Sequence, residues 1–237
     1  MFAGRRVLAV VPARGGSRGI PLKNLRTVGG VSLVARAGHV AASLDFVDRA
    51  VVSTDHEEIA RVAVEAGLAA PFRRPEHLSG PTIGDWDVLT HALGEMEERD
   101  GARYDIVVML QPTSPLRTAG QVRDTVSLLV DGGYDAVWTV SETDSKAHPL
   151  KQLVLREGGQ LDYYDPAGAR IVARQQLEPV YHRNGIAYAM TRDCLVEQKT
   201  IMGARTAGLR IDGPVANIDT ELDLAWAEFL LARSGAP

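Results

Sequence analysis

The sequence predicts an α/β protein on a mostly parallel sheet, with helices on both faces. Three observations predict it. Short apolar runs rich in Val and Ile alternate with amphipathic segments of helical spacing as far as residue 142. The runs are continuous rather than alternating, as strands buried on both faces are. The first three end in glycine, proline or polar residues, at the strand ends where open α/β sheets bind ligands.

The elements follow in order. "RVLAVVPA" is a buried strand stopped by Pro12. Residues 32–44 have helical spacing, with Ser32 placed as N-cap. "RAVVSTD" (49–55) is a second buried strand, and residues 56–67 form an amphipathic helix closed by Gly67. Asp55 is placed to cap that helix. Residues 85–99 are helical. "YDIVVMLQPTSP" (104–115) is a third strand entering a loop that Pro112 and Pro115 stiffen. A helix at 119–133 and a strand at 134–142 complete the alternation. The rhythm then changes. Residues 151–168 read as a hairpin with a Gly-Gly turn, and 184–190 as another strand, with Asn184-Gly185 a candidate turn. An irregular stretch, a short strand and a closing helix at 219–233 end the chain. The reading is one domain over 1–237, with residues 146–205 as an inserted arm of the kind that makes dimers.

Composition narrows the function. The chain has 237 residues, enough for a sizeable core without staples. Lys plus Arg is 26 and Asp plus Glu 30, a net charge of −4. That balance argues against nucleic acid as a partner, which calls for a basic surface. No apolar run approaches the roughly 18 residues of a membrane span. Residues 1–16 superficially resemble a signal peptide, but the apolar run 7–11 is too short and Arg14 follows at once. Cys194 is alone, so no internal disulfide forms, and a reducing, cytoplasmic location is expected.

The most informative stretch is "VVPARGGSRGIPLKN" (10–24). It is neither a Walker A loop nor a G-x-G-x-x-G turn. Gly15, Gly16 and Gly19 let backbone N–H groups approach an anion closely. Arg14, Arg18 and Lys23 add positive charge, with Arg a planar bidentate donor and Lys a point charge. At the end of the first buried strand, that combination suits a triphosphate.

"PARGGSRGIPLKN" closely resembles the N-terminal signature of the CMP-sialic acid synthetases (acylneuraminate cytidylyltransferases). "VVSTD" (51–55), "LQPTSPLR" (110–117), "RNGIAY" (183–188) and "IDTELDLAWAE" (218–228) match further blocks in order, and "HPLK" and "RQQL" resemble acceptor-side segments. The KDO-activating synthetases share the loop more distantly. The resemblance spans nearly the whole chain and implies a Rossmann-like nucleotidyltransferase fold. It implies attack by an acidic acceptor on the α-phosphorus of CTP, release of pyrophosphate, Mg²⁺ as cofactor, and a homodimer whose arm completes the partner's acceptor pocket. Carried over by position, Arg14, Lys23 and Asp219 are catalytic. Gly15, Gly16, Ser17, Arg18, Asn24 and Arg74 join Arg14 and Lys23 on the nucleotide. Gln111, Lys151, Arg174 and Tyr188 face the acceptor, and Asp219 with Asn217 holds the metal.

The sequence departs from the family at three places. Asn217-Ile218-Asp219 replaces Asp-Ile-Asp before the last helix, substituting a neutral amide oxygen for a carboxylate. Ile201-Met202 stand where sialate synthetases often place aromatics, and Pro81 where relatives commonly carry Asp. The nucleotide half is thus better kept than the acceptor half. A nonulosonic acid is the expected acceptor. A small phosphonate such as phosphonoformate is the alternative that the lost aromatics favour. A nucleotide-binding protein without catalysis is the alternative of another class, motivated by Asn217.

Overall fold

The computed structural model describes residues 1–17 and 19–234. Strand β1 (Val7–Pro12) runs into the glycine loop, a single 3-10 turn (Lys23–Leu25) and a small hairpin of β2 (Thr27–Val28) and β3 (Val31–Ser32). Then come α1 (Leu33–Ala42), β4 (Arg49–Ser53), α2 (Glu57–Glu65), α3 (Asp85–Asp100), β5 (Ile106–Met109), α4 (Ala119–Asp131) and β6 (Ala136–Glu142). The short pair β7 (Leu153–Leu155) and β8 (Leu161–Tyr163) precedes β9 (Tyr181–Thr191), α5 (Arg192–Val196), β10 (Thr206–Arg210) and α6 (Glu221–Ser234).

The main sheet has the order β10-β6-β9-β5-β1-β4. β1 is parallel to both β4 and β5, and β9 is antiparallel to β5. Successive side chains of a strand point to opposite faces, and both faces are covered. Val7, Ala9 and Val11 pack with α1, α2 and α4, whereas Leu8 and Val10 pack with α3 and α5. This is why the strands read as unbroken apolar runs. A third cluster joins α6, through Leu224, Ala227 and Leu230, to Ile20, Val28 and Leu33. It brings the last helix to the opening loop.

Local signals mostly hold. Ser32 caps α1 by accepting from Ala35 N–H. Gly158 and Gly159, both at positive φ, make the turn between antiparallel β7 and β8. Two differ. The N-cap of α2 is His56 without a side-chain hydrogen bond, and Asp55 is engaged elsewhere. Asn184-Gly185 lies inside the long strand β9 and turns no hairpin. The carbonyls of Asn184, Gly185 and Ile186 accept from the side chains of Ser114 and Arg117, contacts distant in sequence that local pattern does not reveal.

The chain forms two compact units, Met1–Thr139 with Asn184–Pro237, and Val140–Arg183. Residues 146–183 of the expected arm fall in the second unit. Residues 184–205 carry most of β9 and all of α5, and belong to the first.

Candidate active site

The glycine loop leaves β1 at the point where the sheet order reverses, with β4 on one side and β5 on the other. Open α/β sheets form their ligand crevice there. The Ala13 N–H continues the ladder to Ser53 O at 2.9 Å, and then the chain departs. Arg14 Nη1 donates to Gly80 O at 2.8 Å. Gly15 N–H donates to Asp55 Oδ1 at 2.8 Å, and Asn24 Nδ2 to the Arg14 carbonyl at 2.9 Å. Gly16 is exposed and Ser17 half-buried. Arg18 lies outside the described residues. Gly19 is compelled by close approach: a Cβ there stands 2.6 Å from the Asp219 carbonyl oxygen.

Arg74 lies beside this loop, 4% exposed. Its Nη2 donates to Ser53 O, while its Nε and the Ser53 hydroxyl are buried without a hydrogen-bond partner among the described residues. Burial above all lowers the guanidinium to about 10; Arg14 lowers it too, while Asp55 and Asp85 raise it. Two guanidiniums and two carboxylates thus share this corner, and Arg14 and Arg74 are the planar donors in it suited to an anion.

Lys23 supplies a third cation. Its Nζ donates to Asp219 Oδ1 at 2.8 Å and to Ile218 O at 2.7 Å. Lys23 is largely buried and Asp219 is 68% exposed. Asp223 holds this turn: its Oδ2 accepts from Asp219 N–H, Thr220 N–H and the Thr220 hydroxyl. Desolvation raises the Asp223 carboxyl, but these hydrogen bonds outweigh it and the group titrates below its usual range. Thr220 is the N-cap of α6, its hydroxyl accepting from Asp223 N–H at 3.3 Å, and Asp223 completes the capping box, which leaves Asp219 as the acid facing outward. Arg26 and Glu221 pair at both oxygens, 2.6 and 2.9 Å, tying the first turn of α6 to the chain after the loop.

Among the described residues, no group of three or more His, Cys, Asp or Glu is arranged to hold a metal. Asn217 and Asp219 are both exposed and both offer hard oxygen donors. Such a sparse set fits Mg²⁺, which keeps waters and takes substrate phosphates alongside one or two protein oxygens.

On the other side of β1, Gln111 is half-buried after β5. Gly185, at φ +74°, passes so close that a Cβ there stands 2.6 Å from Gln111 Oε1 and from Ser114 Oγ. Tyr188 is 1% exposed, and its hydroxyl oxygen accepts from Gly185 N–H at 2.8 Å. It therefore shapes the Gly185 backbone from within the core. Arg117 is buried, with its guanidinium donating to the carbonyls of Ile186, Gln111 and Gly185. Burial pushes it down to about 9. Within the second unit, Lys151 and Arg174 are exposed, and Arg174 lines a cavity of about 430 Å³ with Thr143, Ser145, His148 and Glu178.

The first unit thus brings together Arg14, Gly15, Lys23, Asn24 and Asp219, with Arg74 beside Arg14. Sequence reasoning missed Asp55 and Arg117 as working groups. The polar end of "VVSTD" was a signal for Asp55. No local signal marks an arginine satisfied wholly by distant carbonyls.

A family model described as "Cytidylyltransferase" matches residues 8–225. The chain is 26% identical to post-translational flagellin modification protein B of Campylobacter coli, over 95% of this chain and 94% of that protein. It is 30% identical to CMP-N,N'-diacetyllegionaminic acid synthase of Legionella pneumophila, over 94% of each. Among solved structures, CMP:2-keto-3-deoxy-manno-octonic acid synthetase complexed with CTP shares the fold at a TM-score of 0.69 and 21% identity, covering 97% of this chain and 99% of that one.

Proposed function

Because this chain belongs to the cytidylyltransferase family, we propose that it transfers CMP from CTP to a nonulosonic acid and releases pyrophosphate. The observation that carries the reading is the meeting of Lys23 with Asp219, across the sequence, beside the loop of Arg14 and its neighbour Arg74. Three cations and one outward carboxylate suit a triphosphate and its metal. The acceptor class is supported by the Legionella pneumophila relative, a CMP-N,N'-diacetyllegionaminic acid synthase by name.

The reaction joins an acceptor oxygen to the α-phosphorus as the bond to the β-phosphate breaks. Such transfers depend on positioning and charge neutralisation more than on covalent catalysis. Arg14 and Lys23 hold the phosphates and offset the charge that grows on the leaving pyrophosphate. Gly16 and Ser17 line the same loop, Arg74 with Asn24 completes the nucleotide side, and Arg18 is assigned to the nucleotide from the sequence signature alone. Asp219 and Asn217 would hold Mg²⁺, which when bound would neutralise phosphate charge as a Lewis acid. Gln111 faces the acceptor, and Tyr188 shapes the Gly185 backbone beside Gln111; Lys151 and Arg174 are cations of the arm that suit the carboxylate of an acceptor. The active form is a homodimer built through the arm, in a reducing, cytoplasmic compartment. The lone Cys194 is buried and free. No helix among the described residues is long and apolar enough to cross a membrane.

The test is pyrophosphate release from CTP and Mg²⁺ with sialic, legionaminic and pseudaminic acids, KDO and phosphonoformate. Release with a nonulosonic acid is expected. Release with phosphonoformate alone overturns the acceptor assignment. Silence across the panel with CTP bound overturns catalysis on these acceptors.

A further inference from the structure

The Arg14–Gly15 peptide is held at both polar edges. Its carbonyl accepts from Asn24 Nδ2 at 2.9 Å, and its N–H donates to Asp55 Oδ1 at 2.8 Å. A peptide unit is a rigid plane, so hydrogen bonds at opposite edges set its orientation. The Arg14 side chain leaves just before this plane, and the Gly16 N–H follows just after it. Both holders are themselves secured. Asn24 is 5% exposed. The Asp55 carbonyl accepts from Arg73 Nη1 at 2.9 Å, and the next N–H, on His56, donates to Thr54 Oγ1 at 3.1 Å. The His56 ring also lies against Gly15, where a Cβ stands 2.9 Å from ring carbon Cδ2.

We infer that Asp55 is a positioning residue for the phosphate-binding loop: together with Asn24 it fixes the Arg14–Gly15 peptide, and so aims Arg14 and the next amides at the triphosphate. This rests on the proposed CTP-dependent reaction. Asp55 does no capping work on α2. Its charge alone opposes the proposed ligand, because a carboxylate beside a triphosphate repels it. If charge were its main effect, neutralising Asp55 would tighten binding. A holder acts with the opposite sign: losing the acceptor oxygen loosens the loop and weakens binding.

The full-length protein is compared with Asp55→Asn, which keeps an acceptor oxygen without the charge, and with Asp55→Ala, which keeps neither. CTP and inorganic tripolyphosphate are titrated calorimetrically, and exchange of the Gly15 amide is followed by NMR. Asp55→Ala is expected to weaken both ligands about tenfold, as a lost hydrogen bond of ordinary strength does, and to speed Gly15 exchange. Its KM for CTP rises while KM for the acceptor stays. Asp55→Asn binds as the parent does, or more tightly. Unchanged or tighter binding in Asp55→Ala overturns the inference, and so does equal loss in both variants. A parent protein that binds no CTP overturns the proposed function instead. Gly15 exchange then still decides whether Asp55 holds the peptide. Should Asp55→Ala not fold, Asn24→Ala frees the same peptide from its other edge and is read by Gly15 exchange: faster exchange is expected, and unchanged exchange overturns the inference.

Discussion

At Lys23 a single ammonium meets a carboxylate and a carbonyl that lie almost at the other end of the chain. Arg14→Ala and Lys23→Ala should each cost on the order of 2–4 kcal/mol of transition-state stabilisation, read as a large loss of kcat. Near-normal turnover in both would remove the loop from the catalytic assignment. Arg117 makes a contrasting case, a buried cation that serves structure. Replacing it with Met takes its guanidinium from the buried carbonyls of Ile186 and Gly185, at about 1–3 kcal/mol each, while Gln111 O keeps the Ser114 N–H. Denaturant unfolding should therefore show a loss of about 2 kcal/mol or more, and an unchanged midpoint would refute this role. Arg14, Lys23 and Asp219 were legible because glycine-flanked cations and an acid before a helix match an ordered set of blocks. Arg117 was not, because a cation satisfied by distant carbonyls leaves no local pattern, and the polar end of "VVSTD" marked Asp55 without showing that its partner is Gly15, 40 residues away.

Among the elements, α3 shows how a helix end is anchored. Asp100 at its C-terminal end takes both Arg49 of β4 and the Tyr104 hydroxyl. Burial, then the hydrogen bond to Asp100, raises Tyr104 from 10.0 to about 12. The native state thus keeps a proton that the unfolded chain releases. The stabilisation is whole below pH 10 and is lost as pH rises through about 12. Tyr104→Phe should be about 1–3 kcal/mol less stable than the parent at pH 9. That gap should close by about pH 12 in urea titrations. A gap that stays constant would dissociate the hydroxyl from the effect. Helix and strand identities were legible here, since apolar periodicity is a local property. Residues 184–190 were legible as a strand as well, and β9 begins three residues earlier at Tyr181; what was not legible is the close approach of Gly185 to Gln111 and Ser114, which leaves no room for a side chain.

For the whole molecule, the second unit exposes Leu155 at 71%, Tyr164 at 70% and Val172 at 88%. Apolar surface of this kind is costly to leave in water, consistent with the proposed dimer. Sedimentation velocity should find a dimeric mass. Leu155→Lys with Val172→Lys should shift it to monomer and depress turnover of the acceptor while CTP binding persists. A stable monomer in the parent protein would refute the dimer. Periodicity of apolar residues and an ordered series of signature blocks suffice for the mostly parallel sheet, the family and the position of the glycine loop at the end of β1, because each is written in contiguous residues. Tertiary packing alone selects which carboxylate meets Lys23 and which residue holds the Arg14–Gly15 peptide. Asp219 and Asp223 are chemically alike and four residues apart. Docking of α6 onto Ile20, Val28 and Leu33 turns one toward the loop and leaves the other to satisfy its own helix end.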